Sequence, residues 1–207
     1  MRDLPPPRRR GRPRSFDTDQ ALDRALEVFR RKGYEGASLS ELTEAMGINR
    51  PSLYAAFGDK EDLFRKALDR YTDRMMMDMR EAAKKSTARA FIERLLHGVV
   101  ESVTSCKQAR GCLTVTGALA CGDESESIRQ ELIFRRGQTQ RFILERLRRA
   151  KQQGELPGDS NPGDLARYFA TVVQGIAVQS ASGATAAELR RVSDMALKAW
   201  PASLRDA

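Results

Sequence analysis

Arg50, Ser52 and Tyr54 are spaced to share the outer side of one short predicted helix, whose inner side carries Leu53 and Phe57. Guanidinium, hydroxyl and phenol groups in this arrangement can hydrogen-bond to phosphate oxygens and to the edges of base pairs. The chemistry that they offer is therefore the recognition of double-stranded DNA.

A preceding helix and a tight turn would hold that helix in place. Ser38 has Glu41 three residues later, which is typical of a capping box at the start of a helix. Gly47 can adopt the left-handed conformation that ends this helix, and Asn49 is a good N-cap for the next one. Residues 38–57 therefore predict a helix-turn-helix, whose second helix would enter the major groove.

At these residues the chain resembles the TetR/AcrR family of bacterial one-component transcriptional regulators, from about Ser15 to Arg74. The resemblance also includes Lys32-Gly33-Tyr34, at the end of the first helix, and Lys60-Glu61-Asp62-Leu63-Phe64, at the start of the fourth. It implies that Tyr54 and Lys60 contact backbone phosphates, whereas Phe57 packs inside. The candidate DNA-contacting residues of this region are Ser38, Arg50, Pro51, Ser52, Tyr54 and Lys60.

Composition agrees with a DNA-binding function. The 207 residues carry a formal net charge of +8, which favours a polyanionic partner. No apolar run approaches the length of about 20 residues needed to span a bilayer, and the N-terminus lacks the apolar core of a signal peptide. We therefore expect a cytoplasmic protein without a membrane partner.

The positive charge is concentrated in residues 1–14, which hold six arginines against one acidic residue and are rich in proline. Such a segment cannot bury enough apolar surface to order itself, so we expect a disordered arm. Arg10-Gly11-Arg12-Pro13 resembles the core of an AT-hook, a segment that lays arginines along a narrow A/T-rich minor groove. We expect Arg10, Arg12 and Arg14 to contact DNA, although a merely solvated basic tail has the same composition.

The rest of the chain predicts an all-α fold of about nine helices. Caps such as Asp17, Asp59 and Thr87 precede stretches with helical periodicity. We divide the chain into the basic arm at 1–14, a DNA-binding domain at 15–75 and a helical effector-binding and dimerisation domain at 76–207. The later helices are expected at about 59–85, 87–106, 113–120, 124–153 and 161–182, and then from Thr185 onwards.

Helix eight is rich in alanine, glycine and valine, so it can approach neighbouring helices closely on more than one side. The family resemblance implies that helices eight and nine form a four-helix bundle with those of a second subunit. A buried helix within one chain would have the same composition. We favour a homodimer, because a twofold protein can place two such helices about 34 Å apart on a palindromic operator.

The family resemblance also implies a cavity for a small-molecule effector among helices five to seven. Mostly apolar positions with a few polar tips are typical of such pockets, and they favour a lipophilic or aromatic effector. Each position taken alone is more typical of the ordinary core. The candidate lining residues are Phe91, Leu95, Val99, Thr116, Phe134, Gln138, Phe142 and Tyr168.

The three cysteines, Cys106, Cys112 and Cys121, allow an alternative form of regulation. Lys107 and Arg110 lie beside the first two in sequence, and cations make a thiol more reactive by lowering its pKa. A repressor that senses oxidants or electrophiles is therefore the alternative to an effector-released one. Free cysteine is also a common buried apolar residue, and this explanation accounts for the same residues.

Other classes of protein fit the sequence less well. An enzyme is not expected, since no phosphate-binding glycine loop, catalytic triad or metal-ligand cluster is recognisable, and we expect neither cofactor nor metal. A non-specific architectural DNA-binding protein would share the basic composition. The residues themselves do not separate a repressor from an activator. Repression is therefore an expectation that comes from the family resemblance alone.

Deleting residues 1–14 should weaken operator binding and flatten its salt dependence. Each phosphate contact that is lost reduces the slope of log affinity against log salt by about 0.9. Titrations of the full-length and shortened chains on one operator duplex, at several salt concentrations, would measure both slopes. Identical slopes would rule out contact between the arm and DNA.

Overall fold

The computed structural model of the chain describes residues 16–105, 111–119 and 125–201. Within these ranges it contains nine helices and no strand, so the predicted all-α fold class is confirmed. The helices are α1 (Thr18–Gly36), α2 (Leu39–Met46), α3 (Arg50–Phe57), α4 (Lys60–Ala83), α5 (Ala88–Thr104), α6 (Leu113–Leu119), α7 (Glu126–Gln152), α8 (Pro162–Ala181) and α9 (Ala186–Lys198).

Side chains cap most of these helices at the positions that the sequence predicts. The Asp17 carboxylate accepts hydrogen bonds from the backbone N–H groups of Asp19 and Gln20, which begins α1. Complete capping boxes begin α2, α4 and α9. In each box the N-cap side chain accepts from the backbone N–H three residues later, and the side chain of that residue accepts from the N–H of the N-cap. These boxes are formed by Ser38 with Glu41, Asp59 with Asp62, and Thr185 with Glu188.

Gly33 interrupts α1 within the Lys32-Gly33-Tyr34 segment, where the sequence predicts the end of this helix. Its φ of 69° and ψ of −176° are non-helical and bend the last turn of the helix. Glycine adopts this positive φ without the steric cost that a Cβ atom would bring. The bend brings the ring of Tyr34 to 5.2 Å from that of Phe64, in an edge-to-face contact.

One core lies beneath the helix-turn-helix and centres on the first half of α4. The rings of Phe29 and Phe64 meet edge to face with their centroids 4.9 Å apart, and both are fully buried. Leu42 of α2 and Leu53 of α3 are buried in the same cluster, so all four N-terminal helices share it. Leu113 of α6, with Ile128 and Leu132 of α7, completes this core.

The second half of α4 belongs to a different core. Met79 and Ala82 pack there with residues of α5, α7, α8 and α9, including Phe91, Ile143 and Phe169. The helix α4 therefore runs from one core into the other. The boundary that we drew at residue 75 stays a prediction, because residues of α6 and α7 contribute to both cores.

None of the helices in the described ranges is long and apolar enough to cross a membrane.

Phe64→Ala should lower the free energy of unfolding by about 3–5 kcal/mol, because it leaves a cavity between α1 and α4. Phe134 is 52% exposed and provides a matched control. Phe134→Ala should cost less than about 1 kcal/mol, as surface substitutions do. Urea unfolding followed by circular dichroism gives both values, and similar losses in the two variants would contradict the placement of Phe64 in the core.

Candidate DNA-binding surface

The turn between α2 and α3 has the geometry of a helix-turn-helix. Gly47 adopts a left-handed conformation with φ of 68° and ψ of 32°, and its N–H group donates to the carbonyl oxygen of Glu44. The N–H of Ile48 donates to the carbonyl oxygen of Thr43 at 3.1 Å, which satisfies a second free carbonyl at the end of α2. The two helices are thus joined by a tight connection with paired backbone groups.

The recognition helix α3 presents its polar side to solvent. Arg50 and Pro51 are exposed, and half of the Tyr54 side chain is accessible. Ser52 is only half-buried, and its backbone N–H donates to the Asn49 side chain at 2.9 Å. The structure therefore brings all four predicted α3 residues to one short exposed helix, where an approaching duplex could contact them. Contact with DNA itself stays a prediction.

Ser40 is a neighbour of the recognition helix that the sequence did not single out. Its hydroxyl oxygen accepts a hydrogen bond from Nη2 of Arg50 at 2.8 Å. This contact crosses the turn and joins residues ten positions apart, so no helical periodicity would have indicated it. It restricts the Arg50 side chain before DNA binds. The side chain therefore loses less rotamer freedom on binding than a free arginine would.

Ser38 has a structural role at this surface. Its hydroxyl and backbone N–H both donate to the Glu41 carboxylate, and it accepts from the Glu41 N–H. A hydrogen bond from Lys32, together with those from Ser38, lowers the pKa of Glu41 to about 2. The Ser38 side chain is therefore already engaged as a helix cap, and its predicted contact with DNA would add to that role.

Lys60 lies at the start of α4, beside the recognition helix. Its ammonium nitrogen is 4.5 Å from the centroid of the Tyr34 ring, which is a cation–π geometry. Burial lowers the pKa of Lys60, an effect that Glu35 opposes. Nearby, Nζ of Lys66 donates to the carbonyl oxygen of Phe57 at 2.8 Å, which joins the C-terminus of α3 to α4.

The arginines predicted to contact the minor groove, Arg10, Arg12 and Arg14, lie outside the described residues.

The eight predicted effector-lining residues are not gathered in one place. Gln138 and Phe142 line an open cleft of about 410 Å³ between α4 and α7. Phe91 and Leu95 are buried in the second core, and Val99 packs against it. The others do not line that cleft: Phe134 and Tyr168 are exposed, and the half-buried Thr116 donates to the backbone carbonyl of Cys112.

Of the three cysteines, only Cys112 lies in the described residues; Cys106 and Cys121 do not. Cys112 is half-buried at the start of α6, and its sulfur accepts a hydrogen bond from the Tyr71 hydroxyl at 3.3 Å. Burial raises the pKa of Tyr71 well above its ordinary value, so the phenol stays a hydrogen-bond donor.

An exposed polar helix, held by a tight turn on a buried helical core, defines a helix-turn-helix DNA-binding protein. Comparison with known families makes this assignment specific. Residues 21–67 match the bacterial regulatory proteins of the tetR family, and residues 88–196 match the tetracyclin repressor-like C-terminal domain. The chain therefore belongs to the TetR family, and it is a DNA-binding transcriptional regulator rather than an enzyme.

Known relatives match most of the chain. The HTH-type transcriptional repressor ComR of Escherichia coli (strain K12) is 32% identical over an alignment of 201 residues that covers 93% of this chain and 92% of that protein. The uncharacterized HTH-type transcriptional regulator YezE of Bacillus subtilis (strain 168) is 33% identical over an alignment of 163 residues that covers 77% of this chain and 83% of that protein.

A solved structure is similar over the same extent. It is a triple cysteine mutant of the TetR family transcriptional regulator CifR, complexed with 26-base-pair double-strand operator DNA. That chain is 45% identical, is covered completely and matches 92% of this chain, with a TM-score of 0.88.

Arg50→Ala and Tyr54→Ala should each abolish most of the specific binding while the fold remains intact, since both side chains are exposed. The loss of a good base contact at Arg50 costs about 1–3 kcal/mol, which corresponds to roughly a fivefold to 150-fold weaker affinity. The loss of the expected phosphate contact of Tyr54 should weaken binding to all sequences alike. Fluorescence anisotropy on a labelled operator measures the change, with the exposed Arg148→Ala of α7 as the control. Operator affinity retained in both variants would refute the assignment of α3.

Proposed function

We propose that the protein is a homodimeric transcriptional repressor that binds a palindromic operator through two copies of α3 and releases it when a small effector binds. The observation that carries the proposal is the exposed polar side of α3, with Arg50 and Tyr54, on a helix that Lys66 joins to α4. The repressor ComR, similar over nearly the whole chain, supports repression as the direction of control. The operator complex of CifR supports a duplex operator as the partner.

The outer sides of α8 and α9 supply a surface for the second subunit. Val178, Val192 and Met195 are large apolar side chains that stay exposed on these helices. Gly175 lies one turn before Val178, and a Cβ atom there would meet nothing within 4 Å. An apolar surface that includes a small residue allows a second helix pair to approach closely, and a twofold copy of this chain is the partner that a palindromic operator requires.

The helix α4 is the element through which the effector would act. Asp69 forms an ion pair with Arg135 of α7, and the adjacent Arg70 forms ion pairs with Asp19 and Asp23 of α1. These contacts join α4 to the effector-binding region on one side and to the DNA-binding helices on the other. A tilt of α4 would therefore change the spacing of the two recognition helices, and a coupling of about 1.4 kcal/mol weakens the operator tenfold.

The effector that we expect is lipophilic or aromatic, and Phe142 supplies an aromatic wall to the cleft between α4 and α7. Thiol sensing is the alternative, and the hydrogen bond from Tyr71 to Cys112 supports it by joining α4 to the start of α6. Oxidation of Cys112 would disrupt this contact. Operator release by mild peroxide that reverses with a thiol reductant, and that Cys112→Ser abolishes, would favour the alternative.

Met195→Glu should convert the dimer into a monomer, because each subunit would bring a charge into an apolar interface. Met77→Glu is the matched control, since Met77 on α4 is 62% exposed and Met195 on α9 is 68% exposed. Sedimentation equilibrium gives the mass, and anisotropy gives the operator affinity, which should fall at least tenfold in Met195→Glu alone. A wild-type monomer at micromolar concentration, or a dimeric Met195→Glu variant, would contradict the assigned interface.

A further inference from the structure

The cleft between α4 and α7 is lined mainly by polar and charged side chains, together with two apolar ones. The helices cross near Thr72 and Arg135, and the cleft of about 410 Å³ extends from there along both helices. Met76 and Phe142 line its walls, on α4 and α7 respectively. A ligand in this cleft would therefore meet mostly hydrogen-bonding and charged groups, with apolar contacts from Met76 and Phe142.

Arg135 is the cationic group at the inner end, and its side chain is only 19% exposed. Nε and Nη2 donate to the carboxylates of Glu131 and Asp69, and Nη1 donates to the hydroxyl of Thr72. A guanidinium has five N–H donors, so these contacts leave one further N–H on each Nη atom, and Arg135 lines the cleft. Paired N–H groups in a plane match the two oxygens of a carboxylate.

The two carboxylates on Arg135 differ in how easily they can be displaced. Glu131 lies one turn before Arg135 on the same helix, and its side chain is 27% exposed. The Asp69 side chain belongs to α4 and is 55% exposed, so it can turn into water when another anion takes its place. An incoming carboxylate would therefore exchange with Asp69 and leave the pair within α7 intact.

The mouth of the cleft carries charges of both signs. Arg80 and Arg141 line it together with Asp73 and Glu145, and all four residues are exposed. These charges balance one another and are screened by water, so the half-buried Arg135 decides which head group binds. Met76 and Phe142 are the side chains that an apolar part of the ligand could contact.

We propose that this cleft binds an organic carboxylate with an apolar body, and that the carboxylate replaces Asp69 on Arg135. The inference rests on the proposed function, for which it names the chemical class of the effector. Because Asp69 adjoins Arg70, which forms ion pairs with α1, loss of the contact between Asp69 and Arg135 weakens the attachment of α4 to α7 beside its contact with the DNA-binding helices. Occupancy would thereby weaken operator binding.

Calorimetric titration of the full chain without DNA tests the head group. Octanoate, octanamide and octylamine share an apolar body of similar length and differ in charge. Octanoate should bind at least tenfold more tightly than the other two, since only a carboxylate is charge-matched to a guanidinium. Equal affinities for the three compounds, or no binding of octanoate, would overturn the proposal.

Two variants test the exchange at Arg135. Arg135→Gln should reduce octanoate affinity to that of octanamide, whereas the control Arg148→Ala on the same helix should leave it unchanged. Asp69→Asn removes the competing anion and should tighten octanoate binding several-fold, and it provides a second test should Arg135→Gln fail to fold. Unchanged or weaker binding in Asp69→Asn would overturn the exchange.

Anisotropy on the operator separates this proposal from the proposed function. Saturating octanoate should weaken operator binding at least tenfold, and bound operator should weaken octanoate binding by the same factor. Failure of the octanoate-free protein to bind any operator would refute the proposed function alone, since the calorimetry needs no DNA. Octanoate that binds through Arg135 without changing operator affinity would overturn the link to α4.

Discussion

The packing of Phe64 against α1 is the contact on which the DNA-binding surface depends. This ring meets Phe29 and Tyr34 edge to face, and it lies in the half of α4 that supports the recognition helix. The other half of the same helix places Met79 in the second core. Because α4 is continuous over these contacts, the two cores cannot shift independently without bending it. The position of α3 is therefore determined by the position of α4.

Polar contacts also join α4 to its neighbouring helices at particular residues. Lys66 attaches the end of α3 to α4, Arg70 attaches α1, and Asp69 attaches α7. Within the described residues, buried side-chain nitrogen and oxygen atoms all have a hydrogen-bond partner, so neither core is destabilised by an unpaired polar side-chain atom. The exposed ion pairs contribute little to stability in water. In the proposed regulation, their role is that one charged partner can be exchanged for another.

Local features were predictable from the sequence, and contacts between distant residues were not. The caps at Ser38 and Asp59 and the turn at Gly47 follow from a few adjacent residues, so the helix-turn-helix could be placed with correct bounds. The hydrogen bond from Arg50 to Ser40 and the ion pair between Arg135 and Asp69 depend on how helices cross. Periodicity reports which side of a helix is apolar but not which helix covers it, so the predicted pocket residues were dispersed between core, surface and cleft.

The most direct test of the account is the sequence preference of the full chain on DNA. Binding sites selected from random duplexes should have twofold symmetry, with half-sites about one helical turn apart. Anisotropy at physiological salt should then give an affinity for the selected site more than roughly a thousandfold above that for random DNA. A ratio near one, with no symmetric sequence recovered, would contradict an operator-specific regulator and indicate a protein that coats DNA without reading it.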